Sequence, residues 1–175
     1  MTDVQQGVFE IRNASIDELD EVVDVVISAY LEYAEFIPDE RWDRYVENIK
    51  DIRAKLKEAE IVVVLQDRTI VASATFYPKH KREIGKSDLV WPNDWTAIRL
   101  VAVQPEKRMQ GIGRMLMEEC INRSRDQSAI AVGLHTTSLM SVAASMYEKM
   151  GFVRVPEFDL RTNPNLPALA YKLTI

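Results

Sequence analysis

The residues whose spacing most clearly suggests chemistry are Arg108, Gly111, Gly113 and Arg114, within Arg108-Met109-Gln110-Gly111-Ile112-Gly113-Arg114. Before them runs the apolar stretch Leu100-Val101-Ala102-Val103, closed by Gln104-Pro105. After them Ile112, Met115, Leu116 and Cys120 recur at helical spacing. The pattern predicts a strand, a turn, a glycine loop and a helix start. Glycines let backbone N–H groups come close to a ligand, and a helix start adds unpaired amides and a positive dipole end, so the stretch predicts an anion cradle suited to a phosphate. The loop lacks the Gly-Lys-Ser/Thr ending of a nucleoside-triphosphate site and the three-glycine spacing of a dinucleotide fold. On these residues alone, a tight strand-to-helix connection with solvated cations is an equal alternative.

Few other residues offer chemistry. His135 closes an apolar run, and a lone histidine on a strand is more often a hydrogen-bonded structural residue than a catalytic one. Its ordinary pKa near ~6.5 nevertheless suits proton removal at neutral pH. His80 sits in the basic run Lys79-His80-Lys81-Arg82, which reads as a solvated loop. Cys120 is the only cysteine, so an intrachain disulfide is excluded and a thiolate metal cluster is not expected. No metal is indicated.

The elements that must position these groups follow from periodicity. Val8 to Arg12 alternates like a strand, and Ser15-Ile16-Asp17-Glu18 has the spacing of a capping box. Leu19, Val22, Val23, Val26, Ile27 and Tyr30 then form one helical stripe. A second helix is expected from about Asp39 to Lys57, carrying Trp42, Tyr45, Val46, Ile49, Ile52 and Leu56. A hairpin is expected from Ile61–Leu65 and Thr69–Tyr77, and residues 78–95 read as an insertion loop. Further strands are expected at Trp95–Val103, Ala129–Thr136, Phe152–Val155 and Leu169–Ile175, with helices after Gly111 and over Val142–Met150. This order predicts a mixed α/β sheet of about seven strands flanked by about four helices, in one domain spanning 1–175.

Composition narrows the partners. The chain has 175 residues, 47% hydrophobic and 28% charged, enough to bury a core. A net charge of -5 disfavours nucleic acid and anionic membranes, and mildly favours a cationic or amine partner. No stretch approaches the ~18 apolar residues of a membrane span, and a cytoplasmic location is the expectation.

Two separated blocks then combine. Arg108-x-x-Gly111-x-Gly113 after Val101-Ala102-Val103-Gln104-Pro105, followed by Tyr147-Glu148-Lys149-Met150-Gly151-Phe152, resembles the GNAT acetyltransferase superfamily over nearly the whole chain. The resemblance implies a mostly antiparallel sheet, acetyl-CoA as co-substrate, and acetyl transfer to a primary amine on a small molecule or peptide by direct attack. It implies that the backbone of Val101, Ala102 and Val103 holds the pantetheine arm, and that Arg108, Met109, Gln110, Gly111, Ile112, Gly113 and Arg114 hold the pyrophosphate. Tyr147 matches the tyrosine that protonates the departing sulfur. The strand-four glutamate of many members is absent from Thr96-Ala97-Ile98, which leaves His135, twelve residues before Tyr147, as the preferred general base, with a water-relayed proton as its alternative. Met140 stands where many members have an asparagine. By the same resemblance Tyr33, Phe36 and Trp42 are candidates for the acceptor pocket, and a homodimer is common. A coenzyme-A-binding module without turnover, or an enzyme using a longer acyl donor, are the alternatives.

Overall fold

The computed structural model describes residues 8–79, 91–161, 163 and 165–175. Most of the predicted insertion, residues 80–90 with the His80 cluster, lies outside the described residues.

Ser15 and Glu18 open the first helical segment as their spacing predicts. The Ser15 N–H donates to Glu18 Oε2 at 2.8 Å, and the Arg12 guanidinium grips both Glu18 oxygens at 2.7 and 2.8 Å. Hydrogen bonding from Arg12 holds the Glu18 carboxyl down at about 2. A 3-10 turn at Ile16–Glu18 leads into α1 (Leu19–Tyr30), which buries Leu19, Val22, Val23, Val25, Val26, Ala29 and Tyr30. The second predicted helix divides at Asp51, whose ψ of 36° leaves the helical range, giving α2 (Asp39–Lys50) and α3 (Ile52–Lys55). Among the described residues that division raises the number of α-helices to five.

The strands are β1 (Phe9–Asn13), β2 (Glu60–Gln66), β3 (Thr69–Tyr77), β4 (Trp95–Val103), β5 (Ala131–Thr136), β6 (Val153–Arg154) and β7 (Leu169–Thr174). They form a seven-stranded mixed sheet in the order β1-β2-β3-β4-β5-β7-β6. The β2–β3 hairpin turns on Asp67 and Arg68, both at positive φ (51° and 71°), the conformation that matches a two-residue turn to the twist of its strands. β4 and β5 run parallel from Trp95↔Ala131 to Ile98↔Leu134, while β1–β2, β5–β7 and β6–β7 are antiparallel. The parallel pair needs a crossover, which α4 (Ile112–Asp126) supplies; α5 (Ser141–Lys149) follows β5.

The chain divides into two compact units. One comprises Met1–Ala54, Ile61–Ala74 and Leu100–Leu116; the other comprises Lys55–Glu60, Thr75–Arg99 and Met117–Ile175. In the first, the core is the α1 stripe with the apolar runs Ile61–Leu65 and Ile70–Ala74 and the side chains of Ala102, Ile112 and Leu116. In the second, Ser124 of α4 donates to the Cys120 carbonyl at 2.9 Å, so the Thr96 hydroxyl of β4, 2.6 Å away, donates to Ser124. Arg123 adds contacts to Glu119 at 2.8 Å and Glu60 at 3.0 Å. Two buried hydroxyls are thereby satisfied, as low-dielectric surroundings require. Among the described residues no helix is long and apolar enough to cross a membrane.

Candidate functional site

In the first unit the site residues stand on one continuous stretch. Within β4, Leu100 has φ 51°, a left-handed conformation that costs a branched residue roughly 1–2 kcal/mol and marks a local break in the strand's regular pleat. Val101, Ala102 and Val103 follow; Ala102 faces the core. A 3-10 turn at Pro105–Lys107 ends the strand, and the loop then passes through Met109 (φ 61°) and Gly111 (φ 79°) before α4 begins at Ile112. A Cβ on Gly111 would meet nothing within 4 Å, so this glycine is required by its backbone conformation and not by space. Left-handed residues alternating with ordinary ones turn successive amides to one side, and the first amides of a helix have no acceptor within it. The stretch predicted as a cradle thus has two left-handed residues directly before a helix start. Met109 is 93% exposed, so its side chain contributes no packing there.

Arg108 is used differently from a simple phosphate-binding cation. Its guanidinium contacts Glu32 Oε1 at 2.6 Å and the Ala29 carbonyl at 2.8 Å, with Val103 O at 3.5 Å. The side chain thus ties the loop to the end of α1. Of the predicted acceptor residues, Tyr33 and Trp42 join a half-buried aromatic group: Tyr30 lies 6.1 Å from Tyr33 and 5.8 Å from Tyr45, and Trp42 lies 6.0 Å from Tyr45. Phe36 stands apart from that group, 58% exposed. Burial beside Glu32 raises the Tyr33 phenol above its ordinary value.

In the second unit, Tyr147 is buried on α5, and the geometry explains why the Tyr-Glu-Lys-x-Gly-Phe block has its form. The Phe152 N–H donates to the Tyr147 carbonyl and the Gly151 N–H to the Glu148 carbonyl, both at 3.0 Å, while Gly151 takes φ 95°. This is a left-handed helix cap with its apolar contact, the Tyr147 and Phe152 rings lying 5.9 Å apart. The cap fixes the last turn, and with it Tyr147.

His135 lies on the other face of the sheet. Register pairs Leu134 with Tyr171 and His135 with Ala170, and the Tyr171 hydroxyl donates to Glu148 of α5 at 3.1 Å. Side chains alternate along a strand, so α5 covers the Leu134 and Thr136 face and His135 points away from it. Thr136 presents on the α5 face a buried hydroxyl with no hydrogen-bond partner among the described residues. The sequence reading missed it, since an unsatisfied threonine has no sequence signal.

The His135 Nε2 lies 2.9 Å from the Phe158 carbonyl. A carbonyl accepts, so Nε2 carries the hydrogen and Nδ1 is the basic nitrogen. Burial pushes the imidazole pKa below 6.5, helped by Arg99 and Arg154 and opposed by the Phe158 carbonyl and Asp159. Trp91 lies 4.7 Å from the imidazole and 5.6 Å from Trp95, with Phe158 completing the group. Gly133 makes this possible: a Cβ there would sit 2.4 Å from Trp91 Cδ2. Trp91, from the end of the predicted insertion, is thus the wall of the His135 environment. Cys120 is buried, and burial raises its thiol to about 12.

A model of the acetyltransferase (GNAT) family matches residues 23–152. The chain belongs to the GNAT acetyltransferase family. Members of this family are acyl-CoA-dependent N-acyltransferase enzymes, and the matched span contains both sequence blocks. Among solved structures, this GNAT chain is similar to the PaiA N-acetyltransferase from Thermoplasma acidophilum in complex with coenzyme A (TM-score 0.75, 15% identity, 96% of this chain and 99% of that one). It is similar to the ribosomal-protein-S18-alanine N-acetyltransferase from Escherichia coli (TM-score 0.70, 17% identity, 96% and 94%). A third is YncA from Salmonella typhimurium with its cofactor acetyl-CoA (TM-score 0.65, 14% identity, 95% and 93%). At these identities the likeness shows the GNAT fold. No curated protein matches the chain significantly in sequence.

Proposed function

We propose that residues 1–175 work as one domain that transfers an acetyl group from acetyl-CoA to a primary amine by direct attack. The observation that carries this reading is the loop from Arg108 to Arg114, where the left-handed residues Met109 and Gly111 lead into the start of α4. Amides from Met109 through Arg114 bind the pyrophosphate, and the backbone of Val101 to Val103 binds the pantetheine arm. Two of the similar structures are described with coenzyme A or acetyl-CoA, which supports that donor.

The amine lone pair forms the new C–N bond while the thioester carbonyl pair moves to oxygen, where a strand-four N–H stabilises it. Collapse breaks the C–S bond, its electron pair leaves on sulfur, and Tyr147 supplies the proton. His135 Nδ1 takes the proton lost by nitrogen. The sole cysteine, buried and held at about 12, is a poor nucleophile, which supports direct transfer over a thioester intermediate on the enzyme.

The test is thiol release from acetyl-CoA with a panel of small amines, polyamines, amino acids and peptide N-termini. At least one amine is expected to accelerate release, and Tyr147→Phe to lower kcat by roughly 10- to 100-fold with acetyl-CoA binding kept. Binding without amine-dependent release would favour a coenzyme-A-binding module instead.

A further inference from the structure

The stretch of β4 beyond Leu100 has two edges, and side chains of the same unit occupy one of them unequally. The Gln104 N–H donates to the Val71 carbonyl at 2.9 Å, which turns Gln104 and, by alternation, Ala102 toward β3. Val101 and Val103 therefore turn their N–H and C=O groups to the edge away from β3. There the Tyr30 hydroxyl donates to the Val101 carbonyl at 2.9 Å. Arg108 Nε points at the Val103 carbonyl at the longer distance of 3.5 Å. Both carbonyls on that edge thus receive a donor from within the protein, each keeping a second lone pair.

We infer that Tyr30 is a positioning residue for the acyl donor: its hydroxyl, bound to the Val101 carbonyl, fixes the direction in which the backbone of Val101 faces the ligand. This rests on the acetyl-CoA reading above. A thioester and an amide-bearing arm offer carbonyl oxygens, to which a backbone N–H on that edge can donate. The Tyr30 bond also holds the residue next to the strained Leu100, and so sets the direction of the Val101 N–H toward the thioester oxygen. Tyr30 is suited to this, because it is the last residue of α1, is 9% exposed, and is held by ring contacts to Tyr33 and Tyr45. It acts through the strand and touches no reacting atom.

Tyr30→Phe keeps the ring and removes only the hydrogen bond. The probe is acetonyl-CoA, a ketone analogue that cannot transfer its acyl group, labelled with 13C at the carbonyl and followed by infrared difference spectroscopy beside steady-state kinetics. Bound to the wild-type protein, the carbonyl band is expected to move to lower frequency than in water. In Tyr30→Phe the band should return toward its free position, and kcat should fall about 5- to 10-fold with KM for acetyl-CoA changed less than about twofold. An unmoved band with unchanged kcat overturns the inference while leaving the acetyl-CoA reading intact. Failure of the wild-type protein to bind the analogue would overturn both. Should the Phe variant not fold, 3-fluorotyrosine at position 30, a stronger donor, is expected to lower the band further, and no shift would count against the proposal.

Discussion

Among single residues, His135 is the proposed base, and its surroundings set its ionisation. Its folded pKa lies below the ordinary value of 6.5, chiefly through burial, so protonation favours the unfolded chain. Its contribution to stability is therefore complete above about pH 6.5 and is lost as the pH falls through the lower folded value. Urea titrations should show wild-type stability dropping over that window, with a flatter profile in His135→Gln; parallel profiles would mean that burial does not control the imidazole. If Nδ1 is the base, the acid limb of kcat/KM for the amine should be centred below 6.5 and vanish in the same variant. An acid limb that survives would assign proton removal to water. Glu18 behaves separately: Arg12 holds it at about 2, so its stabilisation is present above the ordinary 4.5 and lost only below it.

At the scale of elements, two glycines make distinct predictions. Gly151→Ala forces a Cβ into φ 95° at the α5 cap, 3.3 Å from Leu173 Cδ1. The cost should be about 1 kcal/mol, or a Tm lower by roughly 2–4 °C, with activity reduced because Tyr147 sits in the capped turn. Gly133→Ala collides with the Trp91 indole, and overpacking of this kind costs about 1–3 kcal/mol. Its tryptophan emission should shift to the red as the indole leaves its buried position; unchanged emission would show that β5 yields instead. The strand and helix on either side of the glycine loop were legible because an apolar run, a proline and a glycine pair adjoin there, and Trp95–Val103 has the predicted bounds. The break at Asp51 was not, since the apolar spacing of Ile49, Ile52 and Leu56 continues across it. Nor was Gly133, an ordinary strand glycine until Trp91 is laid upon it. The sequence marked Arg108 as a cation near phosphate, yet its tie to Glu32 lies 76 residues away along the chain and has no local sign.

For the molecule as a whole, the GNAT match across residues 23–152 spans parts of both compact units. A ligand that binds only the folded chain stabilises it by mass action, so acetyl-CoA at about 100 times its Kd should add about 2.7 kcal/mol and raise Tm by roughly 5–10 °C. The net charge of -5 opposes an anionic coenzyme at long range, so this stabilisation must come from local amides and cations. Direct transfer from acetyl-CoA to an amine is tested by single-turnover quench with 13C-acetyl-CoA and the best amine of the panel. Label is expected to appear in the amine at the rate at which free thiol forms, with the intact protein mass unchanged at every time point. A protein-bound acetyl group that rises and then decays as product forms, or label recovered only as acetate, would contradict it.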